Sequence, residues 1–257
     1  MTTKRIGILA TGTELVEGQI ENSNARQTAQ QFVVHDLEPG LFVTVGDSFQ
    51  DIVEATRFLS LHHDAIITIG GLGPTSDDIT RQAVCEAFNL PLHYHPEAWD
   101  WLCEHLTQKG YTVPDNNQQQ AYFPEHATLF RNWNGTAAAT HFTASGKDVF
   151  LLPGPPAEYF PFLEQQVLPY LKQNGYIVPR FRRSWMLQNV SESHIAEILE
   201  PLWQAHPEHQ QIHLGFRVQK PRLEVKLRAS TEALLTALAD QFDPILTPHL
   251  VPPETPL

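Results

Sequence analysis

The sequence predicts an α/β protein built on a parallel sheet, followed by a smaller α+β unit. Apolar runs at Arg5–Ala10, Leu41–Val45 and Ile66–Ile69 alternate with amphipathic segments. That β-α-β-α-β-α order implies parallel strands joined by right-handed crossovers. Past Asn174-Gly175 the pattern changes to β-α-β-β-α, so residues 1–173 and 174–257 are read as separate domains. With 257 residues, 42% of them hydrophobic, the chain can bury a core in each.

The elements follow in order. Arg5–Ala10 is a buried strand ending in the polar turn Thr11-Gly12-Thr13-Glu14. A helix over Asn24–His35 follows the Glu21–Asn24 cluster, and Glu38-Pro39-Gly40 leads into the second strand, Leu41–Val45. Ser48 with Asp51 resembles a capping box, opening a helix whose apolar face is Phe49, Ile52, Val53 and Leu59. Asp64 leads into the third strand. Its glycine turn starts a helix with Ile79, Ala83, Val84, Ala87 and Phe88 on one side. Pro96–Lys109 is a helix stopped by Gly110, and Pro114–Gln120 is a polar stretch. Ala127–Phe130, His141–Ala144 and Val149–Leu152 are short strands, and Pro153–Pro156 is a rigid loop. Ala157–Gln173 is a helix in which Pro169 suggests a kink. The second domain reads as strand Tyr176–Leu187, helix Glu192–Gln204, strands Gln211–Val218 and Leu223–Ala229, and helix Thr231–Gln241. A frayed proline-containing tail ends the chain.

The formal net charge of −12 argues against non-specific binding to nucleic acid or to anionic membranes. Cys85 and Cys103 lack CxxC spacing, which implies neither a disulfide framework nor a structural zinc site and makes a reducing cytoplasm the default. No signal-peptide pattern or membrane-spanning apolar run is present.

The stretch Ile66–Thr80 carries the chemistry. A buried strand runs into Gly70-Gly71-Leu72-Gly73-Pro74-Thr75-Ser76-Asp77-Asp78. Glycines let the backbone approach a ligand closely, and a helix starting there would offer unpaired N–H groups to an anion such as phosphate. Asp77 and Asp78 would repel a bare phosphate; a divalent cation between them and a diphosphate removes the conflict. Glu14 falls at the end of another strand and would converge with them. Asn22, Asn24 and Asp47 are further candidates. Asp78 can equally serve as a helix N-cap and Glu14 as a solvated loop acid. There is no GxxxxGK[ST] phosphate loop and no GxSxG elbow, and the glycine turn follows the third strand, unlike a dinucleotide fingerprint.

These residues resemble the N-terminal part of the competence/damage-inducible CinA family, within the molybdopterin-binding MoaB/MogA/MoeA fold group. The resemblance rests on Thr11–Leu15 with Gly18–Ile20, Val45-Gly46-Asp47, Gly70–Thr80, Asn117 with Gln120-Ala121, Gly135–Ala137, Leu152–Glu158 and Arg222–Lys226. It implies a three-layer α/β/α domain with a mostly parallel sheet and then a KH-like domain. It also implies a divalent-metal-dependent pyrophosphatase that converts ADP-ribose to AMP and ribose 5-phosphate. Asp77, Asp78 and Glu14 then take catalytic and metal-binding roles, with Asp47 as a fourth ligand for Mg²⁺, Mn²⁺ or Co²⁺. Thr11, Gly12, Thr13, Asn24, Gly70, Gly71, Gly73, Thr75 and Glu158 contact the ligand. Family resemblance and the apolar aromatics favour a homodimer. Relatives carry a further nicotinamide-mononucleotide deamidase domain, whose activity is not expected of these residues. The alternatives are a non-catalytic pterin- or nucleotide-binding module and an interaction protein with a decayed site. Three departures stand out: Asn22-Ser23-Asn24 where the family has Asp-Thr-Asn, Ala137-Ala138-Ala139 where Ala-Pro-Gly is usual, and Asn189 where a glycine is expected.

Overall fold

A computed structural model describes residues 4–251, and the proline tail lies outside them. The chain divides between Val178 and Pro179. Sequence placed the change at Asn174-Gly175, but Tyr176 is buried in the first unit and donates its hydroxyl to Asp148.

The first unit runs β1 (Ile6–Thr11), α1 (Thr13–Val16), α2 (Ser23–Val34), β2 (Pro39–Val45), α3 (Phe49–His62), β3 (Ala65–Ile69) and α4 (Thr80–Ala87). It continues through β4 (His93–Tyr94), α5 (Pro96–Gln108), β5 (Tyr122–Phe123), β6 (Thr128–Phe130), β7 (Ala139–Ala144), β8 (Lys147–Leu152), α6 (Pro156–Phe162) and α7 (Leu168–Gln173). The main sheet has the order β2-β1-β3-β8-β7-β6. Pairing is parallel from β2 to β8 and antiparallel beyond. Strand alternation sends Ile6, Ile8 and Ala10 of β1 to one core with Phe32, Tyr159 and Leu171, and Leu9 to the other with Ile52, Leu59 and Val84. Helices therefore cover both faces, the three-layer arrangement. Each such side chain, fully buried, contributes about 1.5–3 kcal/mol.

Local chemistry explains the boundaries. Asn22 caps α2 by accepting from the Ala25 N–H, and Ser48 caps α3 by accepting from Asp51. Phe49, assigned to the apolar face of α3, is exposed, because it occupies the first helical position ahead of the buried stripe of Ile52, Val53, Thr56 and Leu59. The helix after the glycine turn begins only at Thr80, with Ile79 as an uncapped N-cap, so Asp78 is not a cap. A π turn over Leu163–Val167 interrupts the segment expected as one helix. Pro169 cannot donate to the carbonyl four residues back, and the wider turn relieves that. Two short pieces went unforeseen: α1, and the antiparallel pair β4–β5.

The second unit contains β9 (Phe181–Gln188), α8 (Glu192–Ala205), β10 (Ile212–Gln219), β11 (Arg222–Ala229) and α9 (Glu232–Leu246). An antiparallel sheet in the order β10-β11-β9 packs Trp185, Leu187, Val225 and Leu227 against Ile195, Leu199, Leu238 and Phe242. Asn189 has φ 59°, the left-handed region that accounts for the glycine expected there; Asn tolerates it better than most residues. Among the described residues, no helix is long and apolar enough to cross a membrane.

Candidate functional site

The loops that leave the carboxyl ends of β1, β3 and β8 enclose a cleft of about 570 Å³. This is where an open parallel sheet presents ligands. The β3 loop forms one wall. Gly70 and Gly71 have φ of 101° and 67°, and a Cβ on Gly71 would collide with the Thr80 hydroxyl, so neither position accepts another residue without strain. Thr80 in turn bonds Thr11 hydroxyl to hydroxyl at 2.8 Å, tying the β1 and β3 loops together.

The carbonyls of this loop are held from behind. Arg81 Nη1 and Gln120 Nε2 both donate to the Leu72 carbonyl, at 3.3 and 3.2 Å. Gln119 Nε2 donates to the carbonyls of Gly73 and Thr75, and Asn116 Nδ2 to that of Pro74. These amides come from a 3-10 turn over Asp115–Ala121, the stretch read only as polar. A trans peptide points its N–H opposite to its carbonyl, so pinning the Leu72 carbonyl aims the Gly73 N–H the other way. Among the described residues, no hydrogen bond uses the N–H of Gly71, Leu72 or Gly73. Leu72 itself is buried in the core. Arg81 is wholly buried under the loop; burial lowers its pKa to about 10 against the pull of Asp78, so it stays charged at neutral pH.

The acids are arranged differently from expectation. Glu14, Asp47, Asp77 and Asp78 all line the cleft, as do Thr11, Gly12, Asn24, Gly70, Gly71, Gly73 and Glu158. Thr13 and Thr75 do not; each serves an acid instead. Asp47 Oδ2 accepts from the Thr13 N–H at 2.8 Å while Thr13 Oγ1 accepts from the Asp47 N–H. Asp78 Oδ2 accepts from the Thr75 N–H at 2.9 Å and from its hydroxyl. Among the described residues, no three Asp, Glu, His or Cys side chains gather closely enough to cage a metal ion. Glu14, Asp77 and Asp78, with Asp47, line one cleft without closing into a cage, and Asp47 and Asp78 each also accept hydrogen bonds within their own loops. Asp77 stays exposed, and the nearby Thr75 side chain, then its own backbone N–H, holds its carboxyl below the usual range. A hard, hydrated divalent cation often takes only one or two carboxylates and completes its shell with phosphate and water. The donor set fits that mode, in which Asp77 would be the exposed ligand.

The far wall is built by the β8–α6 loop. Asn24 Nδ2 donates to the Gly154 carbonyl at 2.7 Å, while its Oδ1 is buried without a protein partner. Glu158 is half-buried; desolvation raises its pKa against the opposing hydrogen bond from Asn132 Nδ2 at 2.6 Å. The cleft lining includes Glu14, Glu21, Asp47, Asp77, Asp78 and Glu158, and no Lys, Arg or His. Asn22, present in place of an acid, is a helix cap that also donates to Thr44. Asn22 also lines the cleft, and because Asn and Asp cap about equally well, the exchange leaves the cap intact while replacing a carboxylate of the lining by an amide.

Residues 7–173, the part that builds this cleft, match the family model described as a probable molybdopterin binding domain. The chain belongs to that family. Within it, the chain is 36% identical over 200 residues to a putative competence-damage inducible protein of Clostridium acetobutylicum, covering 77% of this chain and 48% of the relative. A protein of the same description from Caldicellulosiruptor saccharolyticus is 35% identical over 240 residues, covering 92% of this chain and 57% of the relative. The chain thus spans about half the length of the curated relatives it matches. The CinA protein of Thermoplasma acidophilum, whose function is described as unknown, has the same fold. Its TM-score is 0.59 at 24% identity, over 68% of this chain and 100% of that one.

Proposed function

We propose that the cleft binds the diphosphate of a nucleotide-like ligand with a divalent cation and hydrolyses it, ADP-ribose giving AMP and ribose 5-phosphate. One observation carries the reading: a glycine loop with unused N–H groups faces a lining rich in carboxylates and without a basic side chain. Such a wall repels a bare diphosphate and accepts one whose charge a cation offsets. The Gly71–Gly73 amides receive phosphate oxygens, and buried Arg81 adds positive potential beneath them. Asp77 would hold Mg²⁺, Mn²⁺ or Co²⁺, which when bound polarises a phosphoryl oxygen. Glu14 would orient water, which adds across the P–O–P bridge so that each product keeps one phosphate.

A second reading, a non-catalytic pterin- or nucleotide-binding module, is favoured by the commitment of Asp47 and Asp78 to loop hydrogen bonds and by the family description. The test is incubation of the pure chain with ADP-ribose and each cation, following AMP. The hydrolytic reading expects metal-dependent AMP that falls at least about 100-fold in Asp77→Asn. Equal release by both proteins sinks it. Tight ADP-ribose binding without AMP release supports the second reading.

A further inference from the structure

A second cavity of about 490 Å³ adjoins the cleft, and Glu158 lines both. Its rim carries Trp133, which is 74% exposed. A singly exposed aromatic is ordinary; this one is braced. Asn132 Oδ1 accepts from the N–H groups of Asn134 and Gly135 at 2.9 and 3.0 Å, closing a tight turn around Trp133. Asn134 Nδ2 donates to the Ala157 carbonyl at 2.7 Å, anchoring the turn to α6. The Arg131 guanidinium sits over the indole at 4.0 Å and is itself held by Glu104 at 2.7 Å. The turn is therefore held in place, and the indole is braced on one side by Arg131 and exposed over much of its surface.

From this geometry we infer that the second cavity is a subsite for a planar heteroaromatic ring, stacked against Trp133, belonging to the ligand whose diphosphate lies in the first cleft. The inference rests on the proposed diphosphate site. The volume lies within the range of small-molecule pockets. Stacking on a braced indole suits any flat ring and needs little side-chain ordering on binding. Asn134, Gln165 and Gln166 in the lining supply amide donors and acceptors for the ring edge. Glu158, at the junction, stands where the linker between ring and diphosphate passes.

Calorimetry with the whole chain and Mg²⁺ tests it, using AMP and neopterin as probes with a heteroaromatic ring and ribose 5-phosphate as the probe without one. A stacked base makes the AMP Kd rise about tenfold or more in Trp133→Ala, while the ribose 5-phosphate Kd changes less than about twofold. Trp133→Phe keeps most of the affinity but loses the quenching of tryptophan emission that AMP produces in the wild type. Neopterin binding that shows the same Trp133 dependence extends the subsite to pterins; its absence makes it a nucleobase site. The inference is overturned if wild type does not bind AMP, if Trp133→Ala binds AMP as wild type does, or if it loses ribose 5-phosphate equally. Failure to release AMP from ADP-ribose strikes the hydrolytic reading alone, because these titrations need no turnover.

Discussion

Thr75 and Asp78 make the glycine loop a closed unit, since the Asp78 carboxylate takes both the N–H and the hydroxyl of Thr75. The restraint matters because Gly71 sits against Thr80 with φ 67°. Gly71→Ala should cost about 1–3 kcal/mol and abolish ligand binding, measured as the urea midpoint and by calorimetry. The same scale separates the site's legible residues from the hidden ones. Gly70, Gly71, Gly73, Asp77 and Asp78 were visible because a plain turn after an apolar strand needs neither three glycines nor a pair of adjacent acids. Arg81 was not, and Gln120 stood out only through the family resemblance. A charged residue on a helix pattern is read as solvated, and only packing reveals that this one lies fully buried behind the Leu72 carbonyl.

Among the elements, the start of α2 is set by Asn22, and β8 is tied to its neighbours by Asp148. Asn22→Ala should lower stability by about 1 kcal/mol, and Asn22→Asp should leave it nearly unchanged, as thermal unfolding would show. Asp148 accepts from His141, Tyr170 and Tyr176. Burial pushes its carboxyl up, yet those hydrogen bonds outweigh it and the pKa falls to about 2. A depressed carboxylate pKa contributes stability that is fully present above the unfolded value of about 4 and is lost as pH falls towards 2. Asp148→Asn should therefore be less stable by about 2 kcal/mol at neutral pH. It should also lack that part of the wild-type decline between about pH 4 and 2, read from urea midpoints across that range. Strands β1 and β3 were legible as unbroken apolar runs, because parallel central strands are buried on both faces. The late start of α4, the π turn and the 3-10 segment at Asp115–Ala121 were not, since tertiary hydrogen bonds rather than local propensity decide them.

At the scale of the molecule, each of the two units has hydrophobic cores of its own, so unfolding is expected to depart from two-state. Ligand that binds only the folded first unit should stabilise that unit alone. With Mg²⁺ and AMP at about 100 times the Kd, the gain is about 2.7 kcal/mol. In scanning calorimetry one transition should move upward while the other stays, and in Asp77→Asn neither should move. The buried side chain of Leu72 gives this linkage a particular character. The glycine loop is rooted in the hydrophobic interior, so its conformational entropy is lost when the chain folds. On the proposed reading, little of that cost would remain to be met when ligand arrives. Association should therefore be fast, with no slow ordering phase. Substitutions deep in that interior, at Val84 or Leu151, should register as changes in affinity as well as in stability.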